Sequence, residues 1–199
     1  MTETLTSDAT DRAAAIGPGR LVLVVGPSGA GKDTLLGLAK AACADDGNVV
    51  FPRRIITRAA SASEENEEIS AGAFQEALTR GEYAMHWDAH GHRYALSRAI
   101  DDDICAGRTV VANVSRTVIG AMRRAYADVI VVSITAPPDV LAARIAMRAR
   151  SSDGGLEGRL RRTVEDASAV PDATIVNTDS AEYHARQLVR AIKGEKWDD

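Results

Sequence analysis

A glycine-rich stretch near the N-terminus carries the most specific chemistry in this sequence. It follows the apolar run 21–25 and ends where a helical pattern begins. Glycines at this spacing let consecutive backbone N–H groups converge on anionic oxygens, and a lysine adds positive charge for the terminal phosphates. The stretch therefore predicts a nucleoside triphosphate site formed by Gly26, Pro27, Ser28, Gly29, Ala30, Gly31, Lys32, Asp33 and Thr34.

Two positions depart from the usual pattern of such loops. A Ser or Thr hydroxyl normally follows the lysine as a Mg²⁺ ligand, whereas this chain has Asp33, with Thr34 one position later. Both residues are candidate metal ligands, directly or through water. The apolar run 109–114 contains the amide Asn113 where many related proteins carry an acidic residue. Transfer onto an acceptor is therefore favoured over hydrolysis by an activated water.

Positive charge is concentrated in one later segment. Six arginines lie between residues 144 and 162, against Asp153 and Glu157. A glycine pair, Gly154 and Gly155, separates arginine-bearing helical patterns and has the composition of a hinged lid, predicted at about 148–162. The segment suits a small polyanion, as expected for phosphoryl transfer.

These residues need a scaffold, and the alternation of short apolar runs with helical segments indicates one. Strand-like runs recur at 21–25, 109–114, 129–135 and 174–176. The alternation predicts an α/β protein with a parallel sheet wrapped by helices. Capping and breaking residues predict helices at 70–80, 97–107, 138–150 and 181–192.

The segment 53–97 has a different composition from the rest of the chain. A run of glutamates is followed by aromatic residues and histidines, which indicates an inserted substrate-binding subdomain. Core packing explains Trp87 and Tyr83 at least as well as ligand contact does. His86, His90 and His92 match no common zinc motif.

Composition narrows the class of protein. With 199 residues, 45% apolar and 26% charged, the chain is expected to form one domain at 20–199 after a disordered leader at 1–19. No secretory signal and no apolar run near the ~20 residues of a membrane span are present, so a cytoplasmic protein is expected. A net charge of −4 argues against nucleic acid as a partner. A homodimer stays an open alternative.

The loop, together with Ile56, Thr57 and Arg58, resembles the guanylate kinase superfamily from about residue 20 to residue 192. The resemblance implies a three-layer P-loop kinase fold with an acceptor-binding subdomain and a lid. Guanylate kinases carry a proline and a second arginine where this chain has Ala60 and Ser61. A serine cannot clamp a phosphate as a guanidinium does.

The departures together resemble the ribose 1,5-bisphosphate phosphokinase family. That family uses ATP, with Mg²⁺, to phosphorylate a sugar phosphate, ribose 1,5-bisphosphate, giving 5-phosphoribosyl 1-diphosphate and ADP in phosphonate breakdown. Two alternatives remain, a guanylate kinase acting on GMP and a nucleotide-binding adaptor without activity. The motifs that carry the resemblance are Asp33, residues 57–61 with 65–66, residues 87–94 and residues 113–116.

The resemblance also implies roles for individual residues. Lys32, Arg148 and Arg159 would act in catalysis, with Arg150 and Arg162 assisting at the nucleotide. Arg144 and Arg161 are expected on a solvated helix face. Acceptor binding would involve Arg58 at a phosphate, Glu65 and Asn66 at ribose hydroxyls, Tyr94 at a phosphate oxygen, and Trp87, Asn113 and Arg116 around the pocket.

Overall fold

Nine strands and six helices make up the described part of the chain. The computed structural model describes residues 15–57, 66–89, 91–149 and 170–195, with only the backbone of residues 148 and 149. The strands are β1 (Ile16–Val25), β2 (Val49–Val50), β3 (Arg54–Ile56), β4 (Asn66–Glu68), β5 (Tyr83–Ala89), β6 (His92–Ser97), β7 (Thr109–Asn113), β8 (Tyr126–Thr135) and β9 (Ala173–Val176). The helices are α1 (Lys32–Ala42), α2 (Ala71–Thr79), α3 (Ala99–Cys105), α4 (Ile119–Ala125), α5 (Pro138–Ala149) and α6 (Ala181–Lys193), and a 3₁₀ turn covers Arg116–Val118.

A five-stranded sheet with the order β2-β7-β1-β8-β9 forms the centre of the molecule, and all its strand pairs are parallel. Residues 21–25 of β1 are buried on both faces, as a continuous apolar run in a parallel sheet predicts. β1 begins at Ile16, so the predicted boundary between leader and domain at residue 19 falls inside a strand. Residues 16–19 belong to the sheet.

Helices cover both faces of the central sheet. On one face α1 and α6 contribute Leu35 and Leu188 to a buried cluster with Val22. On the other face α3 and α4 contribute Ile104 and Met122 to a second cluster. This three-layer arrangement confirms the predicted α/β fold with a wrapped parallel sheet.

The segment 53–97 builds a second, smaller sheet with the order β4-β3-β6-β5. Successive side chains of a strand point to opposite faces, so Ile56 and Tyr94 join the cluster beneath the central sheet while Ile55 and Ala95 pack against Phe74 of α2. The insert therefore shares a hydrophobic core with the rest of the domain.

Most helix boundaries follow the predicted capping residues. Ser70 Oγ accepts a hydrogen bond from Ala73 N at 3.1 Å, and Gly81 after α2 has a φ of 71°. α3 begins at Ala99, two residues after the predicted cap. The helix α4 and the 3₁₀ turn before it were not predicted, because both are short. Among the described residues, none of the helices combines the length and apolar character needed to cross a membrane.

Candidate active site

The loop between β1 and α1 has the backbone conformation that its glycines predict. Gly26, Gly29 and Gly31 have φ values of 148°, 83° and 87°, a region that residues with a side chain rarely adopt. A Cβ on Gly26 would overlap the carbonyl oxygen of Ile134, and a Cβ on Gly31 would overlap the side-chain amide of Asn177. The loop is therefore confined to glycine at these positions by packing as well as by φ.

Lys32 is the first residue of α1, and its side chain folds back over the loop. Its Nζ donates to the carbonyl oxygens of Gly26 at 2.8 Å and Pro27 at 3.0 Å. The ammonium group therefore lies beside the loop, close to the positive end of the α1 dipole. A lysine and a helix N-terminus so placed favour anionic oxygens.

Asn177 supports the loop from the other side and was not predicted. Its side-chain Nδ2 donates to Ala30 O at 2.8 Å, and its backbone N donates to Thr135 O at 2.7 Å. Only 5% of Asn177 is exposed. It directly follows β9 at the edge of the sheet where α/β proteins bind ligands, a position that would have allowed it to be found.

Arg144 corrects one expectation of the sequence. Its side chain was expected on a solvated helix face, yet it is half-buried, and its Nη1 donates to Gly29 O at 3.4 Å. The long side chain reaches from α5 to the phosphate loop, so the guanidinium adds positive charge beside the loop.

Asp33 and Asn113, the two departures noted in the sequence, meet in the structure. Asn113 Nδ2, at the end of β7, donates to Asp33 Oδ1 at 3.1 Å. Arg54 Nη2 lies 3.9 Å from the same oxygen. Parallel neighbours β1 and β7 end at the same edge of the sheet, which brings residues 80 positions apart in the sequence into contact. Thr34, the other candidate metal ligand, is exposed.

A cavity of about 180 Å³ opens beside this pair, between α1 and the segment that leads into β3. It brings together two of the predicted substrate-binding residues, Asn66 and Asn113, with Asp33. Its lining also contains Lys40, Arg53 and Arg54, which sequence reasoning missed. Three basic side chains against one acidic side chain make the lining suited to an anion.

Other predicted residues lie outside this cavity. Trp87 and Tyr94 are each 7% exposed and stack with ring centroids 5.6 Å apart inside the hydrophobic core. This placement agrees with core packing for Trp87, the alternative left open by the sequence. Arg116 is half-buried at the start of the 3₁₀ turn.

Several predicted residues lie outside the described ranges, together with most of the predicted lid. Of Arg148 only the backbone is described, in α5. The residues whose positions are not described are Arg58, Glu65, Arg150, Arg159, Arg161 and Arg162.

Comparison with known proteins gives close relatives over nearly the whole chain, although no family model matches it. The ribose 1,5-bisphosphate phosphokinase PhnN of Bradyrhizobium diazoefficiens is 65% identical over 189 residues, 95% of this chain and 96% of that protein. The protein of the same name from Rhodopseudomonas palustris is 58% identical over 178 residues, 89% of this chain and 90% of that protein.

A solved structure agrees with the fold. The guanylate kinase from Anaplasma phagocytophilum matches with a TM-score of 0.58 and 18% identity, covering 90% of this chain and 86% of that chain. At this identity the likeness shows the fold alone, that of guanylate kinase-like P-loop kinases. The identity of the two relatives over most of their length is decisive for the family. The chain belongs to the ribose 1,5-bisphosphate phosphokinase family.

Proposed function

We propose that this protein transfers the γ-phosphoryl group of ATP to the 1-phosphate of ribose 1,5-bisphosphate, giving 5-phosphoribosyl 1-diphosphate and ADP. The observation that carries the proposal is the 65% identity, across 95% of the chain, to a protein named for this substrate. The loop geometry supports the donor, because its glycines, Lys32 and the α1 N-terminus form an anion site of the kind that holds triphosphates.

The reaction makes modest chemical demands on the protein. An oxygen of the 1-phosphate attacks the γ-phosphorus, the bond from that phosphorus to the β–γ bridging oxygen breaks, and ADP leaves with the electron pair. A phosphate monoester has a second pKa of about 6, so the attacking oxygen is ionised at neutral pH and needs no general base. What remains for the protein is positioning and charge neutralisation.

Positive charge for the donor comes from residues at the loop. Lys32 would exchange its contacts with Gly26 O and Pro27 O for phosphate oxygens, and Arg144 lies against Gly29 O on the α5 side. Arg148 and Arg159 are proposed to contact the transferring group, with Arg150 and Arg162 assisting. Charge that is stronger on the transition state than on the bound substrate is what raises kcat.

Asp33 is the proposed magnesium ligand. Its carboxylate lines the cavity one position after the loop lysine, and oxygen ligands of this kind suit Mg²⁺. When bound, the ion bridges β- and γ-phosphate oxygens and offsets their charge. Among the described residues no group of three His, Cys, Asp or Glu side chains could hold a metal. The remaining ligands would therefore come from phosphates and water, as is usual for Mg²⁺.

Asp33 and Asn113 are proposed to act as one unit. In many P-loop proteins a loop hydroxyl and an acidic strand residue together hold the ion. Here the acid is on the loop and the neutral amide is on the strand, joined by a 3.1 Å hydrogen bond. The pair keeps a single negative charge, and Asn113 would orient the carboxylate of Asp33.

On the acceptor side, Arg58 is proposed to bind a phosphate, with Glu65 and Asn66 at the ribose hydroxyls. Asn66 lines the cavity. Tyr94 and Trp87 lie in the core beneath this region and would act by supporting it.

The proposal is tested by supplying each acceptor separately. ADP release is measured with ATP, Mg²⁺ and either ribose 1,5-bisphosphate or GMP, and phosphorus NMR identifies a diphosphate on C1 of the ribose. We expect turnover with the bisphosphate and a loss of several orders of magnitude in Lys32→Ala, which removes a transition-state charge contact. Turnover of GMP without turnover of the bisphosphate would refute the proposed acceptor. A Lys32→Ala enzyme with near-normal kcat would refute the role of the lysine.

A further inference from the structure

Arg54 is a basic residue at the acceptor side to which no sequence motif assigns a role. It is the first residue of β3, its side chain is 18% exposed, and it lines the cavity with Asn66, Asp33 and Asn113. It therefore stands at the junction between the inserted sheet and the phosphate loop. A guanidinium so far removed from solvent requires a physical explanation, because burying a charge is costly.

The orientation of the guanidinium is fixed by two contacts within the insert. Arg54 Nε donates to Asn66 Oδ1 at 3.2 Å, and Cζ lies 5.9 Å from the centre of the Tyr94 ring. The first contact uses one of the five N–H donors of the side chain, and the second lies within the range of a cation–π interaction. Arg54 is thus held in place by its Nε and by one face of its guanidinium.

The charge of Arg54 is only partly compensated by the described residues. Its ion pair is with Asp33, whose Oδ1 lies 3.9 Å from Nη2, too far for a hydrogen bond. The same oxygen already accepts a hydrogen bond from Asn113. A buried ion pair is favourable only with close geometry and additional hydrogen bonds. The arrangement is therefore a weak explanation of the burial of Arg54 as a structural ion pair.

A phosphate in the cavity would complete this arrangement. The planar guanidinium matches two phosphate oxygens at once, and Lys40 and Arg53 add positive charge to the same lining. We propose that Arg54 binds a phosphate group of the acceptor. The inference rests on the proposed function, in which the acceptor is a sugar bisphosphate, and it adds a residue distinct from Arg58.

Equilibrium binding without nucleotide tests the proposal. Calorimetry with ribose 1,5-bisphosphate, ribose 1-phosphate and ribose 5-phosphate gives Kd values for the wild type, Arg54→Gln and Arg54→Lys. We expect Arg54→Gln to weaken the bisphosphate by about 10- to 100-fold, the range for hydrogen bonds to a charged group. The monophosphate that keeps the contacted phosphate weakens by the same factor, and the other is unchanged. Arg54→Lys, which keeps the charge but not the fork, lies between.

Two controls separate binding from structure. Arg93→Gln neutralises an exposed arginine of β6 that donates to Gln75 and does not line the cavity, and it should bind all three sugars as the wild type does. The Kd for Mg-ATP should be unchanged in Arg54→Gln, and kcat at saturating acceptor should stay within about threefold, because a ground-state contact is lost.

The outcomes distinguish the inference from the function on which it rests. A wild type that neither binds nor phosphorylates the bisphosphate would overturn the proposed function itself. Wild-type binding with unchanged Kd values in Arg54→Gln would overturn only the role of Arg54. An equal loss for both monophosphates and Mg-ATP would show that Arg54 is structural, and would likewise overturn the inference.

Discussion

The hydrogen bond between Asn113 and Asp33 supports a reciprocal substitution. Asp33→Ser places a hydroxyl after the loop lysine, and Asn113→Asp places the acid on the strand, so that the double variant has the arrangement common among P-loop proteins. We expect Asp33→Ser alone to weaken Mg-ATP and the double variant to recover most of that loss. The reasoning requires the two residues to act as a unit.

The magnitude follows from the geometry. A hydrogen bond to a charged group contributes about 1.5–3 kcal/mol, or roughly 10- to 150-fold in affinity. The Asp33 side chain is 32% exposed, so solvent weakens the interaction and the lower end of the range applies, about 10-fold. In the double variant the Kd should return to within about threefold of the wild type. Asn113→Asp alone sets two carboxylates against each other across a distance now bridged at 3.1 Å, which should lower the free energy of unfolding.

Calorimetric titration of all four proteins with ATP, in Mg²⁺ and in EDTA, measures this coupling. Without metal, Asp33→Ser should bind ATP no more weakly than the wild type, because a negative charge near the phosphates has been removed. Asp102→Ser, which removes an exposed carboxylate in the first turn of α3, is the matched control. If the double variant binds Mg-ATP no better than Asp33→Ser, the two residues do not form a unit and the reasoning is wrong.

Two further substitutions test the scaffold. Asn177→Ala removes the 2.8 Å hydrogen bond to Ala30 O and should weaken ATP about 10-fold by calorimetry, from the loss of about 1–1.5 kcal/mol; unchanged affinity would show that the loop does not need this support. Burial, followed by the 2.6 Å hydrogen bond to Asp101, raises the pKa of Tyr126 above its ordinary value of about 10. The unfolded tyrosine therefore loses its proton first, and the free energy of unfolding should fall as the pH rises above about 10. Tyr126→Phe should cost about 1 kcal/mol in urea denaturation at neutral pH and flatten that alkaline decline; an equally steep decline would assign it to other groups.

The central sheet and the phosphate loop could be predicted because their signals are local. Apolar runs buried on both faces define parallel strands, and glycine spacing before a helix defines the loop. The predicted boundary at residue 19 was wrong because Gly17 and Pro18 read as a break, although β1 includes both. A strand partner can extend a strand through residues of low β-propensity.

The missed site residues depend on contacts between distant segments. The importance of Arg54 depends on the pairing of β3 with β4 and β6, which brings Asn66 and Tyr94 to it. Arg144 was misjudged because spacing on a helix assigns a face to Cβ, whereas a long side chain can reach an adjacent loop. Asn177 offered a usable signal, since it ends a strand at the same edge as Asn113.

The departures at Asp33 and Asn113 were read separately from the sequence, and only the structure joins them. Each is a substitution of one polar group by another, which leaves periodicity and propensity unchanged. Their contact follows from the register of β7 against β1, in which Asn113 is level with Val24. A pair 80 residues apart can be recognised from sequence only once the strand order is known.

The aromatic pair Trp87 and Tyr94 connects the acceptor side to the donor side through packing. Both rings lie in the cluster that contains Leu23 and Ala112, the latter directly preceding Asn113, while Arg54 lies over the Tyr94 ring. The separation between Arg54 and Asp33 is therefore set by the shared core, and a 3.9 Å ion pair is not needed to hold it. Neutralising Arg54 should then leave the fold intact and change only what the cavity binds. The sequence associated these aromatics with the substrate, and the structure indicates that they support the residue we propose to contact it.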